Sequence, residues 1–299
     1  MNIGFIGFGE AAFNLAQGLL EEGVRGIRAT DTMADHPVMG QLIHERSQAA
    51  QVELMPSAPE LVEWADIFFT PIPTTLTVDL AKSIKDRLRL GQIYADVSAS
   101  TPRTKEAIWE IVKDTGVLFA DAALLGSLPA SRHKVPILVS GNGAEAFAEK
   151  TNPLGMNVTV IGDKPGDASA IKLIRSIYMK GTAALMVEML RAADAYGVSD
   201  KVIASVAESM DASPFIPAMN RLVTGTAIHC ARRAAELKGS IELLEEAGLD
   251  PSIVAAAKEI HESLVPYNFA EKNVTHRIKQ WEDVIIPIRP AGDNAQKEE

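Results

Sequence analysis

A chain of 299 residues is long enough for one large or two medium domains, each with its own core. Hydrophobic residues at 47% and charged residues at 23% are those of a globular protein, and a formal net charge of -10 argues against a grip on phosphate backbones, which needs clustered Lys and Arg. The single cysteine, Cys230, excludes an intrachain disulfide and fits a reducing compartment.

A strand-like run from residue 2 leaves no room for a secretory leader, and no stretch approaches the roughly 18 apolar residues of a spanning helix. The expectation is a cytoplasmic protein that binds a small-molecule substrate and meets neither nucleic acid nor membrane. Short apolar runs without helical period fall at 2–7, 26–31, 52–55, 66–70, 92–97, 117–121, 136–140 and 157–161. Helical segments fill most of the gaps, and this alternation predicts an α/β fold with a Rossmann-type, parallel, doubly wound sheet.

From Asp167 onward the pattern changes to helical windows over 167–196, 199–210, 214–228, 229–247, 251–263 and 270–284, with Gly197 and Gly248 where helix-ending glycines belong. The chain therefore reads as a dinucleotide-binding domain over 1–163, an all-helical substrate and dimerisation domain over 164–286, and a flexible tail over 287–299. A helix that begins beside the last strand and runs into a second domain lines the cleft between them, a common ligand location. Lys172 sits about one and a half turns into that helix.

Gly7-Phe8-Gly9-Glu10-Ala11-Ala12 follows the first strand and opens a helix. In that context Gly7 permits the turn, Gly9 lets the backbone approach a pyrophosphate, and Ala12 allows close packing of helix on strand. The free N–H groups and positive end of the helix supply an anion site. The bland alternative is a glycine turn with no ligand. Asp31 ends the second strand, where a carboxylate accepts hydrogen bonds from ribose hydroxyls and repels a 2'-phosphate; no arginine follows closely in Thr32-Met-Ala-Asp35-His36. NAD is thus favoured, with NADP not excluded, against the alternative that Asp31 only caps a turn. Thr70, Pro71 and Ile72 after the fourth strand are further expected cofactor contacts, and Ser98 follows the fifth.

Four motifs in order resemble the β-hydroxyacid dehydrogenases, the family of 3-hydroxyisobutyrate and 6-phosphogluconate dehydrogenases. Gly4-Phe-Ile-Gly-Phe-Gly-Glu-Ala-Ala resembles the family's G-F-I-G-L-G-x-M-G, and Asp96-Val-Ser98-Ala-Ser-Thr-Pro102 its D-x-S-T-x-x-P, a loop that lies near the nicotinamide. Asp121-Ala-Ala-Leu-Leu125-Gly126-Ser127 resembles the substrate loop D-A-P-V-S-G-G, with Pro136-Ile-Leu-Val-Ser-Gly141 as the next strand. Gly166-Asp-Ala168-Ser-Ala-Ile-Lys172 resembles G-x-G-x-x-x-K, whose lysine is the family's catalytic residue. The resemblance implies a dehydrogenase with Lys172 as acid and base. It places Ser98, Leu125, Gly126, Ser127, Arg175, Ser176 and Arg232 near substrate.

The departures cluster in that substrate site. Leu125 replaces the family's loop serine, Ser127 its second glycine, and Arg175 the asparagine three residues after the lysine. The usual contacts to a small hydroxyacid are changed, while Arg175 and the pair Arg232-Arg233 point to an anionic group on the ligand. Arg232 also has a plain structural reading, an ion pair with Glu236 on a solvated face.

A hydride leaves a secondary alcohol only as its hydroxyl proton is lost, so the reaction needs a group that takes the proton and steadies the oxyanion. A lysine in a partly desolvated cleft, with a cation at i+3 to lower its pKa, suits the task; an ordinary exposed helix lysine is the alternative. The rival enzyme reading is an imine reductase, although chains of that type resembling this one commonly carry Asp or Tyr where Lys172 stands. The rival from another class is a dinucleotide-binding sensor without turnover. No His, Cys, Asp or Glu spacing resembles a metal site. Ile171, Ile174, Ile177, Tyr178, Leu185, Met186, Val187 and Leu190 wrap more than one face of the long helix, which predicts a homodimer through the helical domain.

Overall fold

The computed structural model describes residues 1–289 and separates into two compact units, Met1–Ile177 and Tyr178–Glu299. In the first unit eight strands, β1 (Ile3–Ile6), β2 (Arg28–Thr30), β3 (Glu53–Leu54), β4 (Ile67–Phe69), β5 (Ile93–Asp96), β6 (Leu118–Leu124), β7 (Pro136–Ser140) and β8 (Asn157–Val160), form one sheet in the order 3-2-1-4-5-6-7-8. Its helices are α1 (Glu10–Glu21), α2 (Met39–Ala49), α3 (Ala58–Trp64), α4 (Thr77–Ile84), α5 (Pro102–Val112), α6 (Leu128–Ser131), α7 (Ala144–Thr151) and the start of α8 (Asp167–Ala195).

Adjacent residues of the strands serve opposite faces, so continuous apolar runs fill two cores at once. Phe5, Ala29, Phe69 and Ala95 pack with Leu15 and Leu19 of α1 and Phe147 of α7, whereas Phe68, Tyr94 and Phe119 pack with Leu61 of α3, Ile84 of α4 and Ile108 of α5. Phe5 stacks on Phe69 at 5.1 Å and Phe68 on Tyr94 at 4.7 Å between ring centroids. Local sequence sets the helix starts. Ser57 accepts from the Glu60 N–H and donates to the Glu60 carboxylate at 2.8 Å, and Thr101 caps α5 with Pro102 at the first helical position.

The sheet departs from the all-parallel expectation at one edge. β1 to β6 run parallel, β7 pairs antiparallel with β6, and β8 runs parallel to β7. The link 125–135 holds only the short α6 and a 3-10 turn over 132–134, too little chain for the crossover that a parallel neighbour of β6 requires.

The second unit continues α8 and adds α9 (Ser199–Asp211), α10 (Phe215–Ile228), α11 (Cys230–Glu246), α12 (Ser252–Ser263), α13 (Phe269–Thr275) and α14 (Glu282–Ile285). Glu188 of α8 caps α12, its carboxylate accepting from the Ile253 and Val254 N–H groups at 2.9 and 2.8 Å. The window expected as one helix over 270–284 breaks after Thr275. Asn273 accepts from the Ile278 N–H at 2.9 Å, Asp283 accepts from those of Lys279 and Gln280, and Asn220 accepts from that of Trp281. Side chains thus satisfy backbone donors that a continuous helix would have bonded internally. Residues 286–288, where the expected tail begins, form a 3-10 turn, and Ile288 packs with Phe269 and Val284; the remainder of that tail, 290–299, lies outside the described residues.

The two compact units divide within α8, whose first turns are anchored to the sheet: Ala168 and Ser169 are buried. Among the described residues no helix is long and apolar enough to cross a membrane, and no group of three or more His, Cys, Asp or Glu could hold a metal ion.

Candidate functional site

Because β1 to β6 are parallel, their C-terminal ends share one edge, and the order 3-2-1-4 places a topological switch between β1 and β4 there. At this edge Gly7 adopts φ +91° and donates to the Thr30 carbonyl at 2.7 Å; a Cβ on it would lie 2.6 Å from the Ile72 side chain. Only glycine suits both constraints. Gly9 caps α1 without a side chain, and nothing lies within 4 Å of where its Cβ would be. The first N–H groups of a helix have no intrahelical partner, so Gly9, Glu10, Ala11 and buried Ala12 present donors on an open, Cβ-free approach. That cradle fits a pyrophosphate.

Asp31 ties this turn to β2. Its Oδ2 accepts from the Phe8 N–H at 2.7 Å and its Oδ1 from that of Met33 at 2.8 Å. Each carboxylate oxygen has two lone pairs, so acceptor capacity is left for ribose hydroxyls. Thr70 is fully buried after β4, and Pro71 and Ile72 are partly exposed beside Gly7.

The neighbouring strand ends hold a buried charge network. Asp96 and Asp121 end up side by side in the β5–β6 register, and like charges placed so are mutually destabilising. Lys105, from the first turn of α5, answers both: its ammonium lies 3.1 Å from Asp96 Oδ2 and 3.3 Å from Asp121 Oδ1, with all three side chains 0% exposed. The same nitrogen donates to the Asp96 and Ser98 carbonyls at 2.9 and 3.1 Å. Asp96 Oδ1 accepts from Thr70 Oγ1 at 3.2 Å and the Ser98 N–H at 2.9 Å, whereas Oδ2 meets Lys105 as an ion contact rather than a directed hydrogen bond. Burial first, then the Asp96 charge, push the Tyr94 phenol well above its ordinary value and keep it neutral.

Asp121 in turn caps α8. Its Oδ2 accepts from the N–H groups of Gly166 and Ser169 at 3.1 and 3.0 Å, and its Oδ1 from the Ser169 hydroxyl at 2.7 Å. Ser140 of β7 accepts from the Ala168 N–H at 3.1 Å. Gly166 has φ +102° and faces Pro102, so the turn into α8 is itself pinned to the start of α5. The carboxylate at the positive end of the helix is doubly favoured, by hydrogen bonds and by the dipole. Lys172 stands three residues beyond Ser169, on nearly the same face, and is partly buried; Ser176 is also partly buried and Arg175 is exposed.

Of the residues singled out from sequence, those on the shared edge, Gly7 to Ala12, Asp31, Thr70 to Ile72 and Ser98, stand at the strand ends of one unit, as does the start of the Lys172 helix. Ser98 is 5% exposed, with its hydroxyl 2.8 Å from that of Ser100, so its side chain serves the loop. Leu125 is partly buried and donates to the Pro136 carbonyl at 2.8 Å, while Gly126 and Ser127 are exposed. Arg232 belongs to the second unit, is exposed, and pairs with Glu236; Arg233 donates to Thr226 Oγ1 at 2.8 Å. Lys105 was missed by sequence reading. Its signal is a lysine in the apolar stripe of α5, where 105, 108 and 112 are the buried positions.

Residues 2–162 match the model of the NAD binding domain of 6-phosphogluconate dehydrogenase, and 193–264 match a domain of unknown function, DUF1932. A 28.5 kDa uncharacterized protein of Methanothermus fervidus is 26% identical over 260 residues, 87% of this chain and 97% of that one. Glyoxylate/succinic semialdehyde reductase 2 of Arabidopsis thaliana is 24% identical over 289 residues, 91% of this chain and 77% of that one. A conserved hypothetical protein of Sinorhizobium meliloti has a solved structure with 30% identity and a TM-score of 0.60, covering 88% of this chain and 87% of that one. A reductive aminase from Aspergillus terreus shares the fold, with a TM-score of 0.73 at 15% identity over 96% of this chain and 99% of that one. Since the NAD-binding model takes in more than half of its residues, the chain belongs to the 6-phosphogluconate dehydrogenase-like family, the β-hydroxyacid dehydrogenases.

Proposed function

We propose that the protein is an NAD-dependent oxidoreductase that moves hydride between the nicotinamide and a secondary alcohol or its ketone on a small acidic molecule, with Lys172 as acid and base. The observation that carries this reading is the Asp121 cap, which fixes the start of the Lys172 helix at the same sheet edge as the glycine turn. NAD, when bound, accepts or returns the hydride at its nicotinamide. In oxidation the substrate C–H bond breaks with its electron pair while the neutral Lys172 amine takes the hydroxyl proton; in reduction the ammonium returns it. Thr70, Asp96 and Ser98 hold the edge of the site rigid through their shared hydrogen bonds.

The acidic-substrate reading draws on Arg175, exposed one turn beyond Lys172, and on the Arabidopsis relative, whose name is that of a reductase of two acidic carbonyl compounds. Leu125 in the substrate loop favours an apolar portion next to the reacting carbon. Steady-state NADH oxidation against a panel of oxo acids and ketones tests the reaction, with turnover of at least one member expected; no response from any member would sink it.

The cofactor preference for NAD rests on Asp31, which faces the turn at the ribose end and would repel a 2'-phosphate. Asp31→Asn should reduce the NADH-over-NADPH affinity ratio at least about tenfold in a fluorescence titration, the equivalent of about 1.4 kcal/mol. Tighter binding of NADPH by the unaltered protein would refute the preference. The exposed Tyr178, Leu185, Met186, Val187 and Leu190 of α8 support a homodimer through the helical unit, to be checked as a dimeric mass by light scattering. Buried Cys230, the one cysteine, fits a cytoplasmic location.

A further inference from the structure

We infer that Lys105 is a positioning residue for the reaction, a buried ammonium that holds the Ser98 loop and the Lys172-bearing start of α8 in register across two aspartates that repel each other without it. The inference rests on the dehydrogenase reading, since it concerns the segment where Lys172 is assigned the proton.

An ammonium has three N–H donors and no acceptor. Lys105 directs them at the Asp96 and Ser98 carbonyls, which shape the loop after β5, and more weakly at the Ser98 hydroxyl at 3.4 Å, while its charge lies 3.1 Å from Asp96 Oδ2 and 3.3 Å from Asp121 Oδ1. The Asp121 carboxylate then passes the constraint to α8 through the Gly166 and Ser169 N–H groups and the Ser169 hydroxyl. Two buried carboxylates against one cation leave one negative charge over, and it falls where the positive end of α8 meets Asp121. Lys105 is 0% exposed, so it acts through these contacts and does not touch substrate.

Removing the cation has a consequence that loss of packing alone lacks. Two adjacent buried carboxylates tolerate each other only when one takes up a proton, which low pH favours. Lys105→Met should therefore lose its geometry progressively as pH rises, the direction in which an alcohol oxidation driven by a lysine base ordinarily gains rate. Asp96→Asn added to Lys105→Met removes the surplus charge together with the cation and should relieve that trend.

The test compares kcat, KM and NADH affinity of full-length wild type, K105M and D96N/K105M from pH ~6 to ~9. Expected for K105M is a kcat at least about thirtyfold down at neutral pH, KM and NADH affinity within about threefold, and a deficit that grows about tenfold toward high pH. D96N/K105M should recover at least about tenfold and lose the trend. A deficit that is equal at every pH, or one the second substitution does not relieve, overturns the inference, as does a kcat within about threefold of wild type. Should K105M fail to fold, K105R takes its place: it keeps the charge but not the three-way geometry, so kcat falls with a wild-type pH trend, and an unchanged kcat overturns the inference. If wild type turns over no compound, the dehydrogenase reading fails by itself. Amide exchange over 166–172 then decides Lys105 alone, with exchange about tenfold faster in the variant supporting the role and unchanged exchange overturning it.

Discussion

Lys172→Met lowers kcat at least about a hundredfold and leaves NADH affinity within about threefold. Methionine keeps most of the length and volume of the side chain but can neither take nor return a proton. The glycine turn, Asp31 and the α1 terminus are separate elements, so binding of the dinucleotide should be spared. The helix around the substitution stays in place because its anchors, Ala168 and Ser169, are buried and held by Ser140 and Asp121. A simultaneous loss of cofactor affinity would indicate that the variant disturbed the fold rather than the chemistry. Undiminished turnover would remove Lys172 from the mechanism.

Asp121→Ala destabilises the first unit by about 3–5 kcal/mol, the range for breaking a buried ion pair by removing one partner. Three donors from Gly166 and Ser169 lose their acceptor, and Lys105 loses one of its two carboxylates, all in a region without solvent access. Asp121→Asn keeps the shape and one acceptor and should cost less. Because the chain has two units, the transition of the first must be read separately. Trp64 and Trp109 belong to it and Trp281 to the second, so tryptophan fluorescence during urea unfolding in a Trp281→Phe background reports the first unit alone. A change below about 1 kcal/mol would mean that the cap is dispensable.

Much of the first unit was legible because buried parallel strands write themselves as apolar runs; all eight positions correspond to strands. Strand direction is not in that signal. The reversal of β7 is encoded in the brevity of the link 125–135, a length argument that apolar patterning ignores. The glycine turn was legible from its place between the first strand and the first helix, where a backbone demand selects the residue locally, and Asp31 from its place at the end of the second strand. The network of Lys105, Asp96, Asp121 and Ser169 was not, because its members come from four elements and meet only through the sheet register and the start of α8. The break after Thr275 was hidden for a similar reason: one of the acceptors that interrupt the helix, Asn220, lies on α10, far away in sequence.

The most direct measurement of hydride transfer by this protein follows the label from NADH carrying deuterium at both C4 positions, supplied with the oxo acids and ketones. Expected is one deuterium on the carbinol carbon of the product, with an equal loss of NADH absorbance, in wild type and at least about a hundredfold slower in Lys172→Met. Tight binding of NADH with no label transferred to any compound would mark a sensor, and transfer confined to the carbon of imines would mark an imine reductase; either result contradicts the proposed alcohol dehydrogenation.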